Sequence, residues 1–189
     1  MAGFPAASAR SAAGLLGVAA AGLLLSHPSP ALASGVEEEV KVEFIERFTE
    51  FVEWPPEAFA SKTSEFNVCT EGEGPLAPRI GALLGKGRIK DRPVRVRALK
   101  PGEEASGCHL LYIAPSESDG VDRIVRQIGK APVLTIGDKA GWGKRGVLIN
   151  LFLQGSHVRF AINAAASKAS GLNVSVKLLV LARPEEAGG

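Results

Sequence analysis

Leu110-Leu111-Tyr112-Ile113-Ala114 decides the fold. An unbroken apolar run this short reads as a central strand covered on both faces, the mark of a parallel sheet between two layers. Upstream, Pro93 to Leu99 alternates, with Val94, Val96 and Ala98 against Arg95 and Arg97, which makes a half-buried strand. Phe66 to Thr70 is a further short strand. Downstream, Pro132 to Ile136 is another buried strand. Val147 to Leu153 and His157 to Ile162 are strands joined by Gln154-Gly155-Ser156, a link short enough to require an antiparallel hairpin.

Helical stripes lie between these strands. Val40, Phe44, Phe48, Phe51 and Val52 fall on one face of a helix that Trp54-Pro55-Pro56 ends, since proline disfavours helix at the residue before it. Pro75 opens a helix that runs to Leu84, and Gly85 and Gly87 stop it. Val121, Ile124, Val125 and Ile128 form a third stripe. Asn163 caps an alanine-rich helix ending at Ser170, with Gly171 as its stop. Val174 to Leu181 is helix or extended segment. Strands alternating with helices give an α/β domain. The expected architecture is three layers: a mixed, mostly parallel sheet with helices on both faces and an antiparallel C-terminal hairpin. It spans residues 34–183, and the polar tail 184–189 is expected to be disordered.

The N-terminus reads as a secretory leader. Arg10 precedes the apolar stretch Ala12 to Leu25, followed by the breakers Pro28 and Pro30 and the small-residue site Ala31-Leu32-Ala33. Cleavage after Ala33 would release a chain without a membrane-length apolar segment, destined for an exported compartment. The formal net charge of the 189 residues is +2, which gives no reason to expect nucleic acid or an anionic membrane as partner. The basic cluster Lys86, Arg88, Lys90, Arg92, Arg95 and Arg97 is read as a solvated loop and strand face.

Several motifs resemble chemistry. Gly72-Glu73-Gly74-Pro75-Leu76-Ala77 matches the dinucleotide turn, between a strand and a helix. Glu71 and Glu73 place negative charge where a pyrophosphate would sit, so a plain turn is the better reading. Gly141 to Gly146 repeats the pattern between two strands, out of context; its Trp142 is either an exposed contact residue or a lid over the sheet end. Asp138 ends a strand, where α/β folds place ligands, yet a turn explains it equally. His109 and His157 lie on different strands and show no zinc spacing. Gly155-Ser156-His157 lacks a nucleophile elbow. No enzyme activity, cofactor or metal is expected. The stripe Phe48 and Phe51 with Trp54 reads first as core and second as a groove for a partner helix.

Cys69 and Cys108 are the two cysteines. In an oxidising compartment such a pair most often forms a disulfide; the alternative is two buried thiols.

Taken in order, Phe44 to Pro55, Phe66 to Cys69, Gly87 to Val96, Gly107 to Ile113, Pro132 to Asp138, Gly146 to Leu151 and Val158 to Asn163 resemble the YfiR family of periplasmic proteins. The resemblance implies a non-enzymatic periplasmic regulator. Such a protein binds and restrains the periplasmic part of an inner-membrane signalling protein, a diguanylate cyclase controlling cyclic di-GMP and biofilm or a histidine kinase. It implies that Cys69 and Cys108 are the family's bridge, and it admits a homodimer. The family's second cysteine pair is missing here, and Ala161 stands where acidic residues are frequent. The alternative is a periplasmic small-ligand module, with its site at the strand ends near Gly72, Gly74, Asp138 and Trp142. The expected partner- or ligand-binding residues are thus Phe48, Phe51, Trp54, Asp138 and Trp142.

Overall fold

The computed structural model describes residues 30–185. The expected leader therefore lies outside the described residues up to position 29. Pro30, read above as a breaker, is instead the first residue of α1 (Pro30–Phe51), a position where proline's missing N–H costs nothing. The remaining elements are β1 (Val52–Glu53), β2 (Phe66–Glu71), α2 (Leu76–Leu84), β3 (Arg88–Ile89), β4 (Arg92–Leu99), β5 (Leu110–Ile113) and α3 (Val121–Ile128). They continue with β6 (Leu134–Gly137), β7 (Ile149–Gln154), β8 (His157–Ile162), α4 (Ala164–Ala169), β9 (Asn173–Val174) and α5 (Val176–Leu181).

The main sheet has seven strands in the order β3-β4-β2-β5-β6-β7-β8. The inner pairs β4·β2, β2·β5, β5·β6 and β6·β7 are parallel, and the outer pairs β3·β4 and β7·β8 are antiparallel. This is the mixed α/β sheet the sequence implies. From β2 the chain passes through α2 to β4, then returns across β2 to β5 and winds the other way. The topological switch point thus falls between β2 and β5.

Alternation along β5 divides the interior. Leu110 and Tyr112 join a core with Ile45 and Phe48 of α1, Ile80 of α2 and Phe160 of β8. Leu111 and Ile113 join a second core with Val121 and Ile124 of α3, Val133, Trp142 and Val147. Burying each such aliphatic side chain contributes about 1.5–3 kcal/mol. Two covered faces explain why β5 has no polar alternation.

Two features escaped the sequence. β1 pairs with β9 in a separate two-stranded sheet at the end of α1. β3 and β4 form a hairpin whose turn residues, Lys90 and Asp91, hold φ of 50° and 58°. That is a primed turn built without glycine. Lys90 Nζ reaches Glu53 Oε1 at 2.6 Å and the Glu50 carbonyl at 3.2 Å, so the turn is tied to the α1 terminus. The basic cluster is accordingly less solvated than expected. Arg95 pairs with Glu65, Arg97 with Glu103, and Arg92 donates to the carbonyls of Ser61 and Ser64.

Cys69 of β2 and Cys108 before β5 are bridged, with Cα atoms 5.9 Å apart, and both are buried. They join the two strands at the switch point. On the loop-entropy model the bridge contributes about 4 kcal/mol. Reductant should lower the melting temperature of the wild type by about 10 °C, onto the value of the Cys69→Ala/Cys108→Ala variant. A melting temperature indifferent to reductant would contradict this.

Candidate functional site

The C-terminal end of the sheet is where α/β proteins of this winding hold ligands. Here the crevice at the switch point is filled by the chain itself. Gly72 has φ 88°, and a Cβ on it would meet Ser116 Oγ at 2.6 Å and Glu117 Cγ at 2.7 Å. Ser116 Oγ also accepts the Glu73 N–H at 2.8 Å. Beneath it Glu71, 1% exposed, pairs with Arg123 of α3 at 3.0 Å, and Arg123 lies 3.8 Å from Glu117. A pyrophosphate would have to displace this side-chain network and face two glutamates. The glycine-rich stretch is a packing turn.

Asp138, just past β6, is not an open ligand group. Its Oδ1 accepts from Lys41 Nζ of α1 at 2.6 Å, and Tyr112 Oη lies 3.4 Å from its Oδ2. Lys41 also pairs with Glu37 at 2.6 Å. Burial alone would depress the lysine, but the bonds to Asp138 and Glu37 outweigh it, so its pKa is raised. Burial pushes the Asp138 carboxyl up, with Lys41 and Tyr112 offsetting it in part. The ammonium sits at hydrogen-bond distance from two carboxylates and governs the pair. The Tyr112 phenol is pushed up by burial and by the charge of Asp138. The network fastens α1 to the end of the sheet.

The loop after β6 is fixed from several sides. Trp142 is 1% exposed and packs in the core beneath α3. Of its two sequence readings, the exposed contact does not hold, since the indole is buried in the core between the left-handed Gly141 and Gly146 of its loop. A Cβ on Gly137 would fall 2.8 Å from that ring. Asn150, fully buried, donates to the Lys139 carbonyl at 2.8 Å and to Glu185 Oε1 at 3.0 Å. The Gly141 N–H also donates to Glu185 Oε1. Residue 185 of the expected tail thus braces this loop; positions 186–189 lie outside the described residues.

At the opposite end of the strands the organising residue is His109. Its Nδ1 accepts the Asn67 N–H at 2.9 Å, so its Nε2 carries the proton donated to the Ala58 carbonyl at 3.0 Å. Its own carbonyl accepts from Trp54 Nε1 at 3.0 Å and the Leu134 N–H at 2.9 Å. The ring stacks on Phe59, centroids 4.5 Å apart, and the Arg92 guanidinium lies 3.7 Å from the Phe59 centroid as a cation–π contact. Burial lowers the imidazole pKa, the bond to Ala58 opposes this, and the Arg92 charge adds to the lowering. A cleft of about 430 Å³ beside it is lined by Glu57, Ser64, Asn67, Cys108, His109 and Pro132, among others.

Of the residues expected to bind a partner or ligand, Phe48 and Trp54 are buried and Phe51 is half-buried. Phe48 packs edge-on against Phe160 at 4.9 Å, and Trp54 against Phe66 at 4.9 Å. A partner meets neither Phe48 nor Trp54 without opening the core, so the first reading of the stripe holds for them. Sequence reasoning did not find Lys41, Tyr112, Arg123 or Glu185. The partners that tie them to other elements are 26 to 97 positions away, beyond any local pattern. Among the described residues no cluster of three or more His, Cys, Asp or Glu could hold a metal ion. Nor is any described helix long and apolar enough to cross a membrane.

Fold and strand ends together define a three-layer α/β domain in which Glu71, Asp138 and His109 are each paired within the chain, while Asn150 Oδ1 and Glu185 Oε2 are buried without a hydrogen-bond partner among the described residues. The sequence matches the YfiR/HmsC-like family over residues 38–183, most of its length, and the chain belongs to that family. No curated protein matches it.

Asp138→Leu should cost about 2 kcal/mol in urea unfolding, because it removes one of the two carboxylates that Lys41 bonds and leaves the ammonium to Glu37. The double variant Lys41→Met/Asp138→Leu should recover most of that loss. The raised Lys41 value means its stabilisation is complete below the ordinary lysine value of 10.5 and is lost as pH rises through the folded value. The wild type should therefore lose its advantage over that double variant only in alkali.

His109 has the opposite sense. Its lowered value gives stability that is present above the ordinary 6.5 and lost as pH falls through the folded value. Urea midpoints should fall below that pH in the wild type and fall less steeply in His109→Gln. Parallel pH dependences in the two proteins would contradict the assignment.

Proposed function

We propose that the chain is an exported regulator that binds and restrains the periplasmic part of an inner-membrane signalling protein, a diguanylate cyclase or a histidine kinase. The observation that carries this reading is the family match over residues 38–183. Export to the periplasm rests on the N-terminal leader pattern and on that family. A bridged cysteine pair is consistent with an oxidising compartment. The internal pairing of Glu71, Asp138 and His109 supports a role exerted through the outer surface rather than through chemistry at the strand ends. Restraint follows if the protein binds the inactive state of the sensor more tightly than the active one, since only unequal affinity moves such an equilibrium.

The small-ligand alternative loses support from the same geometry. Gly72 is covered by Ser116 and Glu117, Asp138 is paired, and Trp142 is core.

The test is crosslinking of the tagged, exported protein in cells, with mass spectrometry of the membrane fraction. Capture of a membrane protein with a cyclase or kinase output domain is expected. Capture of nothing but the chain itself, in cells where a known membrane complex is recovered, would overturn the reading.

A further inference from the structure

A groove between α1 and α2 takes no part in the networks above. It encloses about 360 Å³ and is lined by Glu39, Val42, Glu43, Arg79, Ala82 and Leu83. Its floor and far wall are apolar: Val42 is buried, Ala82 is exposed, and Leu83 is 45% exposed. The near wall is acidic. Glu39, Glu43, Glu46 and Glu50 recur at intervals of four, three and four, so they form one stripe along α1, and all four are exposed. Lys41 on the same helix turns inward to Asp138, leaving Arg47 as the exposed cation along this stretch. Arg79 closes one end, held by Glu38 at 2.8 Å and Glu39 at 3.9 Å.

Like charges at helical spacing repel by a few tenths of a kcal/mol per pair. The chain as a whole is slightly basic, with a formal charge of +2, so an all-glutamate stripe is a local departure rather than a general acidity. The short apolar wall of Ala82 and Leu83 beside an acidic rim suits an amphipathic helix with cations beside its apolar stripe. The exposed aliphatic face of α5, Val176, Leu179 and Val180, is larger, but nothing beside it says what would cover it.

We infer that the α1–α2 groove docks a cationic amphipathic helix of the signalling partner, its apolar stripe on the exposed Ala82 and Leu83 and its lysines or arginines along Glu39, Glu43, Glu46 and Glu50. The inference rests on the regulatory reading and names the chemistry of the segment recognised. Rim charges of this kind set the association rate and its dependence on salt.

The probe is a fluorescein-labelled synthetic helix with leucines on one face and lysines flanking them, titrated into the exported protein; its control carries glutamates for the lysines. The lysine peptide should bind, more weakly as salt rises. Glu43→Lys and Leu83→Ser should each weaken it by about tenfold or more, a loss of about 1.4 kcal/mol, and Leu179→Ser on α5 should leave it unchanged. Equal binding of the glutamate peptide, no binding, or a loss confined to Leu179→Ser overturns the inference. In cells, a photocrosslinker at position 83 should capture a basic periplasmic segment of a membrane signalling protein. Capture of that protein from position 179 and not from 83, or of a second copy of this chain at 83, overturns the groove and leaves the regulatory reading standing. Capture of no signalling protein at either position overturns both.

Discussion

The neutral ring of His109 is the joint on which the structure depends. One nitrogen accepts from the backbone of β2 and the other donates to the carbonyl of Ala58, while the residue's own carbonyl takes the Trp54 indole and the first amide of β6. The residue before it is half of the disulfide to β2. One position therefore holds together two central strands, the third strand beside them and the connection that follows α1. A charged imidazole loses the first of these bonds, since a second ring proton would face the Asn67 N–H. Buried polar groups with every partner in place rigidify a fold; with one missing they weaken it.

The other end of the sheet follows the same economy. Winding that reverses between β2 and β5 ordinarily leaves a crevice for a ligand. Ser116 and Glu117 close it here, Glu71 is neutralised by Arg123, and Asp138 by Lys41. Trp142 and the Glu185 carboxylate secure the next loop along. The helical exterior exposes the acidic edge of α1 and the aliphatic face of α5. A regulator acting by differential binding needs no more than a rigid body with such a face.

Much of the fold was legible because burial writes itself into local pattern. The run at β5, the alternation of β4 and the short link between β7 and β8 each have one structural solution. The N-cap Asn163 accepts the Ala166 N–H at 2.9 Å, as its position before the alanines implied. The β1·β9 pair and β3 were invisible because two residues carry no period. The β3–β4 turn was missed because Lys90 and Asp91 replace the usual glycine. The strand ends were least legible. Asp138 was found as a candidate, but its partner Lys41 lies 97 positions earlier, on a helix whose Glu39, Glu43, Glu46, Arg47 and Glu50 are exposed. Burial of Trp142 depended on where α3 packs, which no spacing within the loop reveals.

The claim that strand-end polar groups are bound inward is tested most directly at His109, by long-range nitrogen-15 NMR of its imidazole in a pH titration. The account predicts a neutral ring protonated on Nε2 and bare on Nδ1, which takes up its second proton only below the ordinary 6.5. A ring that titrates near that ordinary value in the folded protein, or one protonated on Nδ1, would contradict it.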